Sequence, residues 1–150
     1  MRPKLLFALL AAGAVASVLV PVATADRVFH TLHAEVHAVG GAPLQSGFVN
    51  DVHTNGVVNG ANEIYHLNGA IPNTTFQVSI LFYVADPTCT STPGTIPTST
   101  LTTNASGNGN AHFNFPAGPP STLPTSGIRW QFSTAAGVAY ATDCAPLELD

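Results

Sequence analysis

The chain has 150 residues, of which only 8% are charged, and its four Lys and Arg residues against eight Asp and Glu residues give a formal net charge of −4. It therefore lacks the basic surface that phosphate contacts require, and we expect no nucleic-acid partner. Its length suits one domain with a hydrophobic core of its own.

The first 25 residues have the pattern of a secretory signal peptide. Two basic residues precede an apolar run from Leu5 to Val20, and small residues ending at Ala25 precede the first acid, Asp26. The run is shorter than the roughly 20 apolar residues that a spanning helix prefers, although a retained anchor is the alternative. We predict cleavage between Ala25 and Asp26, a single domain over residues 26–150, and a secreted, extracellular protein whose mature chain does not span a membrane.

Both cysteines, Cys89 and Cys144, lie in the exported part of the chain. In an oxidising compartment, an even pair of cysteines favours a disulfide over a metal or catalytic pair. We therefore predict a Cys89–Cys144 disulfide that ties the middle of the domain to its C-terminal end. The same part of the chain keeps two arginines and no lysine against eight acids, which leaves a formal charge of −6.

The first predicted element after the signal peptide runs from Val28 to Val39. Apolar residues at even-numbered positions alternate with a polar set that includes His33, Glu35 and His37. The alternation favours a strand, although a helical stripe can also be drawn through the segment. Because the rest of the chain has β patterns, we predict a strand whose three polar side chains face solvent without fixed partners.

Asn-Gly between β-branched residues predicts the next element, a short hairpin. Asn55-Gly56 separates Phe48–His53 from Val57–Val58, which we predict as its two arms. Turn residues also precede the longest alternating segment, Phe76–Val84. We therefore predict Glu63–Leu67 as a shorter strand that reverses into Phe76–Val84.

The remainder of the chain alternates short strand patterns with turn residues. Prolines at positions 87, 93 and 97 exclude a central strand over most of residues 86–104. The chain thus contains seven to nine predicted strands and no predicted helix after the signal peptide, which is typical of an antiparallel sandwich or small barrel. The later predicted strands cover residues 98–103, 111–115, 128–133 and 138–144.

Two turn motifs stand out in the sequence. The first consists of Tyr65, Leu67, Gly69, Pro72, Thr74, Phe76, Val78 and Ile80, and the second of Leu101-Thr102-Thr103-Asn104 with Gly107, Gly109 and Phe113. The first is similar to the segment of fibronectin type III-like and related immunoglobulin-like domains in which a Leu-x-x-x-x-Pro turn precedes a strand, and the second to the Thr-Asp-x-x-Gly hairpin of bacterial surface sandwich repeats. The resemblance implies an immunoglobulin-like antiparallel β-sandwich with an adhesion or binding role.

Six histidines raise the question of a zinc or copper site. His33, Glu35 and His37 form the densest cluster, but strand geometry would separate the two histidines by about 13 Å, so a site would need ligands from other strands, such as His112. The sequence around His112 is similar to a Gly-x-His-Phe-Asn segment of copper-zinc superoxide dismutases, whose His-x-His pair this chain lacks. We interpret the histidines as solvated and expect no cofactor, with zinc or copper as the alternative.

No sequence pattern predicts a nucleophilic enzyme. A G-x-S-x-G elbow is absent from the sequence, and we interpret the acids Glu35, Asp51, Glu63 and Asp86 as solvated surface charges, with a glycosidase-like carboxylate couple as the alternative. We therefore predict a non-enzymatic protein, secreted or at the cell surface, that binds a protein or glycan outside the cell. The alternative is a metal-binding extracellular protein or enzyme.

Overall fold

The structure is a computed structural model that describes residues 29–54, 60–116 and 123–149. The predicted signal peptide, its cleavage position between Ala25 and Asp26, and the Asn55-Gly56 turn lie outside the described residues. The described part contains antiparallel strands and turns and no helix, which confirms the all-β prediction. The nine strands are β1 (Phe29–Ala38), β2 (Ser46–Thr54), β3 (Ala61–Asn68), β4 (Thr75–Tyr83), β5 (Gly94–Thr102), β6 (Gly109–Phe115), β7 (Leu123–Thr134), β8 (Gly137–Thr142) and β9 (Ala145–Leu149).

The strands form one curved antiparallel sheet. Their order is β5-β4-β7-β8-β1-β2-β3-β6, and β9 pairs with β7 beside this path. The two end strands, β5 and β6, lie against each other without ladder pairing, so the sheet is nearly barrel-shaped. The number of strands agrees with the predicted seven to nine, whereas the finer prediction of an immunoglobulin-like sandwich stays a prediction.

Strand β1 belongs to both halves of the sheet. Residues 29–35 pair with β2, whereas residues 36–38 pair with β8. Beyond β8 the chain continues as β9, which stays beside β7 while β1 turns toward β2. The sheet therefore splits between the first part of β1 and β9. We call this split the β1–β9 cleft.

Alternating apolar positions supply the core. Trp130 and Phe132 of β7, Phe76 and Val78 of β4, and Leu67 of β3 are completely buried. Because alternate side chains of a strand share one face, the even positions of β4 and β7 and the odd positions of β3 all point inward. On β1 the inward set includes Ala34 and Val36, which confirms the predicted strand and excludes its helical alternative.

One predicted hairpin has the wrong partner, and the other lies partly outside the described residues. The short arm Val57–Val58 lies outside the described residues, and the strand that pairs with β2 is β3, over eight residue pairs. Strand β3 does not reverse into β4, because β3 pairs with β2 and β6 whereas β4 pairs with β5 and β7. Turn residues show that the chain changes direction, but they do not show to which side of the core it returns.

Strand β5 is longer than the prolines after β4 led us to predict. Strand β5 begins at Gly94, four residues before the predicted start at Thr98, and includes Pro97. Pro97 lies opposite Ser79 next to a register shift, on a strand at one end of the sheet path. An end strand with a bulge tolerates proline because the missing N–H is not needed by a second neighbour.

The structure contains the predicted disulfide. Cys89 and Cys144 are bonded, with their Cα atoms 5.9 Å apart, and the bond attaches the loop after β4 to the junction of β8 and β9. Within that loop the Asp86 carboxylate accepts hydrogen bonds from the backbone N–H groups of Thr88, Thr90 and Ser91. These bonds, with that from the Thr88 hydroxyl first among them, hold the pKa of Asp86 well below its usual range. The loop is therefore fixed by one covalent bond and one carboxylate.

Candidate functional site

A group of polar side chains is buried between β2, β3 and β7. Glu63 is 1% exposed, and its two carboxyl oxygens accept hydrogen bonds from the Tyr65 hydroxyl and from Nε1 of Trp130, the latter at 2.9 Å. The Tyr65 oxygen also lies 2.9 Å from the Thr98 hydroxyl of β5. Burial raises the pKa of Glu63 to about 7, although the bonds from Tyr65 and Trp130 oppose the rise. Near neutral pH this carboxyl group can therefore bind or release a proton.

Asp51 lies beside this network as a second buried acid. It is the ladder partner of Glu63, is 3% exposed, and accepts a 3.0 Å hydrogen bond from Nδ1 of His53 through Oδ2. Among the described residues, no donor reaches its other oxygen, Oδ1. Because a carboxylate oxygen can only accept, Nδ1 of His53 donates this bond, and in the neutral tautomer Nε2 keeps a lone pair.

His53 connects the buried acids to the β1–β9 cleft. Its ring stacks on that of His30, with centroids 5.5 Å apart, and both rings line a hollow of about 210 Å³ in the cleft. The remaining walls of this hollow come from β1 and β9 and include Leu32 and Leu147. A polar path thus leads from the cleft through His53 to Asp51 and Glu63.

The interpretation of Asp51 and Glu63 as solvated charges is wrong. Both side chains share the inward parity of their strands with fully buried neighbours, Val49 on β2 and Leu67 on β3. The sequence holds this signal, since residues two apart on a strand face the same side. An assignment from polarity alone, which ignores the alternation of side chains along a strand, places both acids on the solvent side. Their hydrogen-bond donors, Tyr65 and Trp130, can be found only once β3 and β7 are brought together.

A second candidate site is the outward surface of β1, β2, β3 and β6, which we call the outer face. Neighbouring strands lie about 4.8 Å apart, so this four-stranded surface is about 14 Å wide. It is mostly polar, and the exposed aliphatic side chain near its centre is Ile64, which is 48% exposed. By ladder register its residues form three rows across the strands: Glu35, Phe48, His66 and Asn110; His33, Asn50, Ile64 and His112; Thr31, Val52, Asn62 and Asn114.

Three rings pack against one another on the outer face. The Phe48 ring is 5.4 Å from that of His33 and 5.0 Å from that of His66, measured between centroids, and the Phe48 and His66 rings are stacked. An asparagine holds each imidazole, because Nδ1 of His33 lies 2.6 Å from Oδ1 of Asn50 and Nδ1 of His66 lies 2.6 Å from Oδ1 of Asn110. Because the amide oxygens accept, Nδ1 of each imidazole donates, and Nε2 of its neutral tautomer is an acceptor.

The four candidate metal ligands lie on two strands, β1 and β6. His33, Glu35 and His37 are exposed on β1, as predicted, but two of them have partners, since His33 bonds to Asn50 and Nε2 of His37 lies 3.4 Å from Asp143. His112 stands on β6, three strands from β1 and thus about 14 Å from His33. Within residues 29–54, 60–116 and 123–149, no three His, Cys, Asp or Glu side chains are arranged to hold a metal ion. The zinc or copper alternative stays a prediction.

Comparison of the chain with protein-family models, curated proteins and solved structures finds no match. In the described ranges, no helix is long and apolar enough to cross a membrane.

Proposed function

We propose that this protein is a secreted, non-enzymatic binding protein that recognises a neutral glycan through its outer face. The observation that carries the proposal is the cluster of three rings, His33, Phe48 and His66, on an open four-stranded surface bordered by asparagine amides. The exposed parts of these rings provide apolar contact for the C–H groups of sugar rings. Amide groups and imidazole nitrogens provide donors and acceptors for hydroxyl groups.

The charge of the outer face favours a neutral ligand. In the three rows Glu35 is the one carboxylate, and it lies at their edge rather than at their centre. The one Lys or Arg side chain among the described residues is Arg129, which lies on β7 and donates through Nε to the carbonyl of Thr142. The three rows therefore offer no Lys or Arg cation to bind phosphate or sulfate groups.

The polarity of the outer face favours a glycan over a protein. Protein interfaces have an apolar centre with charged groups depleted and a polar rim. Here the apolar positions, Phe48, Val52 and Ile64, are separated from one another by polar side chains in the three rows. Alternating ring and amide contacts suit a chain of sugar units, whose hydroxyls and C–H faces also alternate.

The proposal includes export and an open-sandwich architecture. The disulfide is consistent with an extracellular protein, and the apolar segment from Leu5 to Val20 supports a signal peptide cleaved after Ala25. We interpret the fold as an immunoglobulin-like sandwich opened at one edge. In support, the end strands β5 and β6 form no ladder with each other among the described residues. The path can be divided into β5-β4-β7-β8 and β1-β2-β3-β6, and β1 pairs with strands of both parts. N-terminal sequencing of exported protein should begin at Asp26, and a start at Met1 would contradict the proposal of cleavage.

Glycan binding can be tested by calorimetric titration of the purified protein with neutral oligosaccharides of six units. A Phe48→Leu variant removes the ring while keeping apolar volume, and an Asn110→Ala variant releases His66 from its partner. We expect each to weaken binding at least tenfold. The matched control is Ile96→Ala, which truncates an exposed side chain on β5, away from the outer face. If the first two variants bind as tightly as the parent, or if no oligosaccharide binds, the proposal is wrong.

A further inference from the structure

The β1–β9 cleft contains a second candidate binding surface, which shares His33 and Glu35 of β1 with the outer face. Two hollows lie one after the other along it, one of about 210 Å³ beside His30, Leu32 and His53, and one of about 250 Å³ beside Glu35 and Asp143. Both hollows have β1 as one wall and the chain from the end of β8 into β9 as the other. The two hollows therefore follow one another along the edge of a strand.

Within the described residues, the edge of β1 that faces β9 has no ladder partner. The N–H of Val39 donates to the carbonyl of Ala139 at 2.8 Å, which shows that the odd-numbered residues of β1 direct their backbone groups toward β8 and β9. Farther back along β1, these residues are Thr31, His33 and Glu35. Among the described residues, β1 pairs with β2 and β8 and has no ladder with β9. Backbone donors and acceptors thus recur about every 7 Å along the cleft.

The two hollows differ in chemistry. The first is walled by Leu32, Pro146 and Leu147, with the imidazole of His53 held in place by Asp51. The second contains the carboxylates of Glu35 and Asp143, of which Asp143 is partnered at 3.4 Å by His37. The first hollow suits an apolar side chain. The second suits an ammonium or guanidinium group, because opposite charges attract at such a partly exposed site.

We propose that the β1–β9 cleft binds an extended peptide segment of another protein by strand addition. The peptide backbone pairs with the free edge of β1 at Thr31, His33 and Glu35. One apolar side chain enters the first hollow, and a Lys or Arg side chain reaches Glu35 and Asp143. The side chain of Leu32 has the inward parity of β1, whereas that of Glu35 lies on the outer face, so the two peptide side chains point to opposite sides of the added strand. The two peptide residues therefore lie an odd number of positions apart, such as three when they stand opposite Leu32 and Glu35.

The charge of the chain itself favours a different protein as the partner. In the described part of the sequence, the one Lys or Arg residue is Arg129, and it lies on β7 between β4 on one side and β8 and β9 on the other. A second copy would therefore bring no basic strand from this part to the carboxylates. Pro146 also removes one backbone donor from the β9 side of the cleft, so β1 is the edge that offers regular pairing.

The test uses the symmetric peptide acetyl-Lys-Thr-Thr-Val-Thr-Thr-Lys-amide, labelled for fluorescence anisotropy. Its Val and Lys residues lie three apart in both directions, so either strand orientation fits the two hollows. Two further peptides carry N-methyl groups, one on the odd and one on the even residues. We expect saturable binding of the parent, at least a tenfold loss for one methylated peptide, and retention within threefold for the other, because only one edge of the peptide pairs with β1. Equal affinities for all three peptides, or no saturation at millimolar peptide, would overturn the proposal.

Variants of the protein locate the site independently. A Glu35→Gln, Asp143→Asn double variant should weaken the parent peptide at least fivefold and make its binding insensitive to salt. Asn110→Ala, which tests the glycan proposal on β6, should leave peptide binding unchanged, as should His112→Ala on the same strand. Loss of peptide binding in Asn110→Ala would place the peptide on the outer face and overturn this inference. Sedimentation showing that the protein dimerises, with the peptide competing against the dimer, would replace the foreign partner with a second copy.

Discussion

Asp51 of β2 lies directly opposite Glu63 of β3, and both carboxyl groups are buried. Glu63 receives hydrogen bonds from Tyr65 and Trp130, whereas Asp51 receives one from His53 and keeps one oxygen without a donor among the described residues. Burial disfavours the charged form of Glu63 and is the main reason that its pKa rises to about 7, and the charge of the neighbouring Asp51 adds a smaller effect in the same direction.

This pair predicts that stability falls as pH rises toward neutrality. The pKa of Glu63 is about 7 in the folded protein, against an ordinary value of 4.5 for a solvated glutamate, so the folded protein binds the proton more tightly. The contribution of protonated Glu63 to the free energy of unfolding is fully present below pH 4.5, declines between pH 4.5 and pH 7, and is absent above pH 7. Its magnitude is about 3 kcal/mol, from 1.36 kcal/mol per pKa unit. Urea unfolding at pH 5, 6, 7 and 8 measures the decline.

Two variants isolate the contribution of Glu63. Glu63→Gln keeps the shape and the acceptor but cannot ionise, so the decline between pH 5 and pH 8 should shrink by most of that amount. Glu35→Gln, on the exposed side of β1, should leave the decline as it is in the parent. If the free energy of unfolding fell equally with pH in the parent and in Glu63→Gln, the pKa of Glu63 would be that of a solvated glutamate, and the prediction would be wrong.

We predict that Gly127 is required for the close packing of the disulfide loop against β7. A methyl group there would collide with the carbonyl oxygen of Asp86 and lie 2.6 Å from Sγ of Cys89. Gly127→Ala should therefore lower the free energy of unfolding by about 1–3 kcal/mol, as overpacking usually does. In the matched control, Gly94→Ala on β5, the nearest atom is the Phe82 carbonyl oxygen at 3.9 Å, and stability should stay within about 0.5 kcal/mol of the parent. Equal effects of the two changes would contradict the packing seen around Cys89.

The disulfide is predicted to stabilise a fold that does not depend on it for its topology. Its half-cystines are 55 positions apart, so a Cys89→Ala, Cys144→Ala variant should lose on the order of 4 kcal/mol on the chain-entropy account. Far-ultraviolet circular dichroism should remain that of a β protein, while the urea midpoint falls. Intact-mass measurement of the parent checks the premise, since two free thiols in exported protein would contradict it.

Tyr140 is predicted to be a polar anchor between two loops. Its buried hydroxyl accepts from the N–H of Ile71 at 2.8 Å and donates to the carbonyl of Pro43 at 2.9 Å. Tyr140→Phe leaves both backbone groups without this partner, so we expect a loss of about 1–3 kcal/mol in urea unfolding. The control is Tyr83→Phe, since the hydroxyl of this buried tyrosine makes no hydrogen bond within the described residues. A loss in the control as large as that in Tyr140→Phe would assign the effect to packing.

The zinc or copper alternative can be tested on β1. His33, Glu35 and His37 are exposed, so a His33→Thr, Glu35→Gln, His37→Thr variant should change stability by under about 1 kcal/mol. Stoichiometric zinc or copper should leave the melting temperature of the parent unchanged, because only a ligand that prefers the folded state raises it. A rise of several degrees in the parent, lost in the triple variant, would favour the metal-binding function over glycan binding.

Local patterns in the sequence determined the strands and the disulfide. Alternation of apolar and polar residues is set by the period of two along a strand, so it predicted β4, β7 and the inward parity of β1 without knowledge of their neighbours. The pairing of Cys89 with Cys144 needed only the count of cysteines and an oxidising compartment. Turn residues likewise showed where strands end, as before Phe76.

Only the tertiary structure decided which strands pair and what the polar residues do. The turn residues before β4 left open whether the chain returns beside β3 or crosses the core, because turn chemistry sets direction and not the partner. Strand parity places Glu63 inward, but its hydrogen-bond donor Trp130 is 67 positions away, and no local pattern contains such a pair. The outer face and the β1–β9 cleft arise in the same way, since a row across four strands and a split between β1 and β9 exist only after segments distant in sequence have packed together.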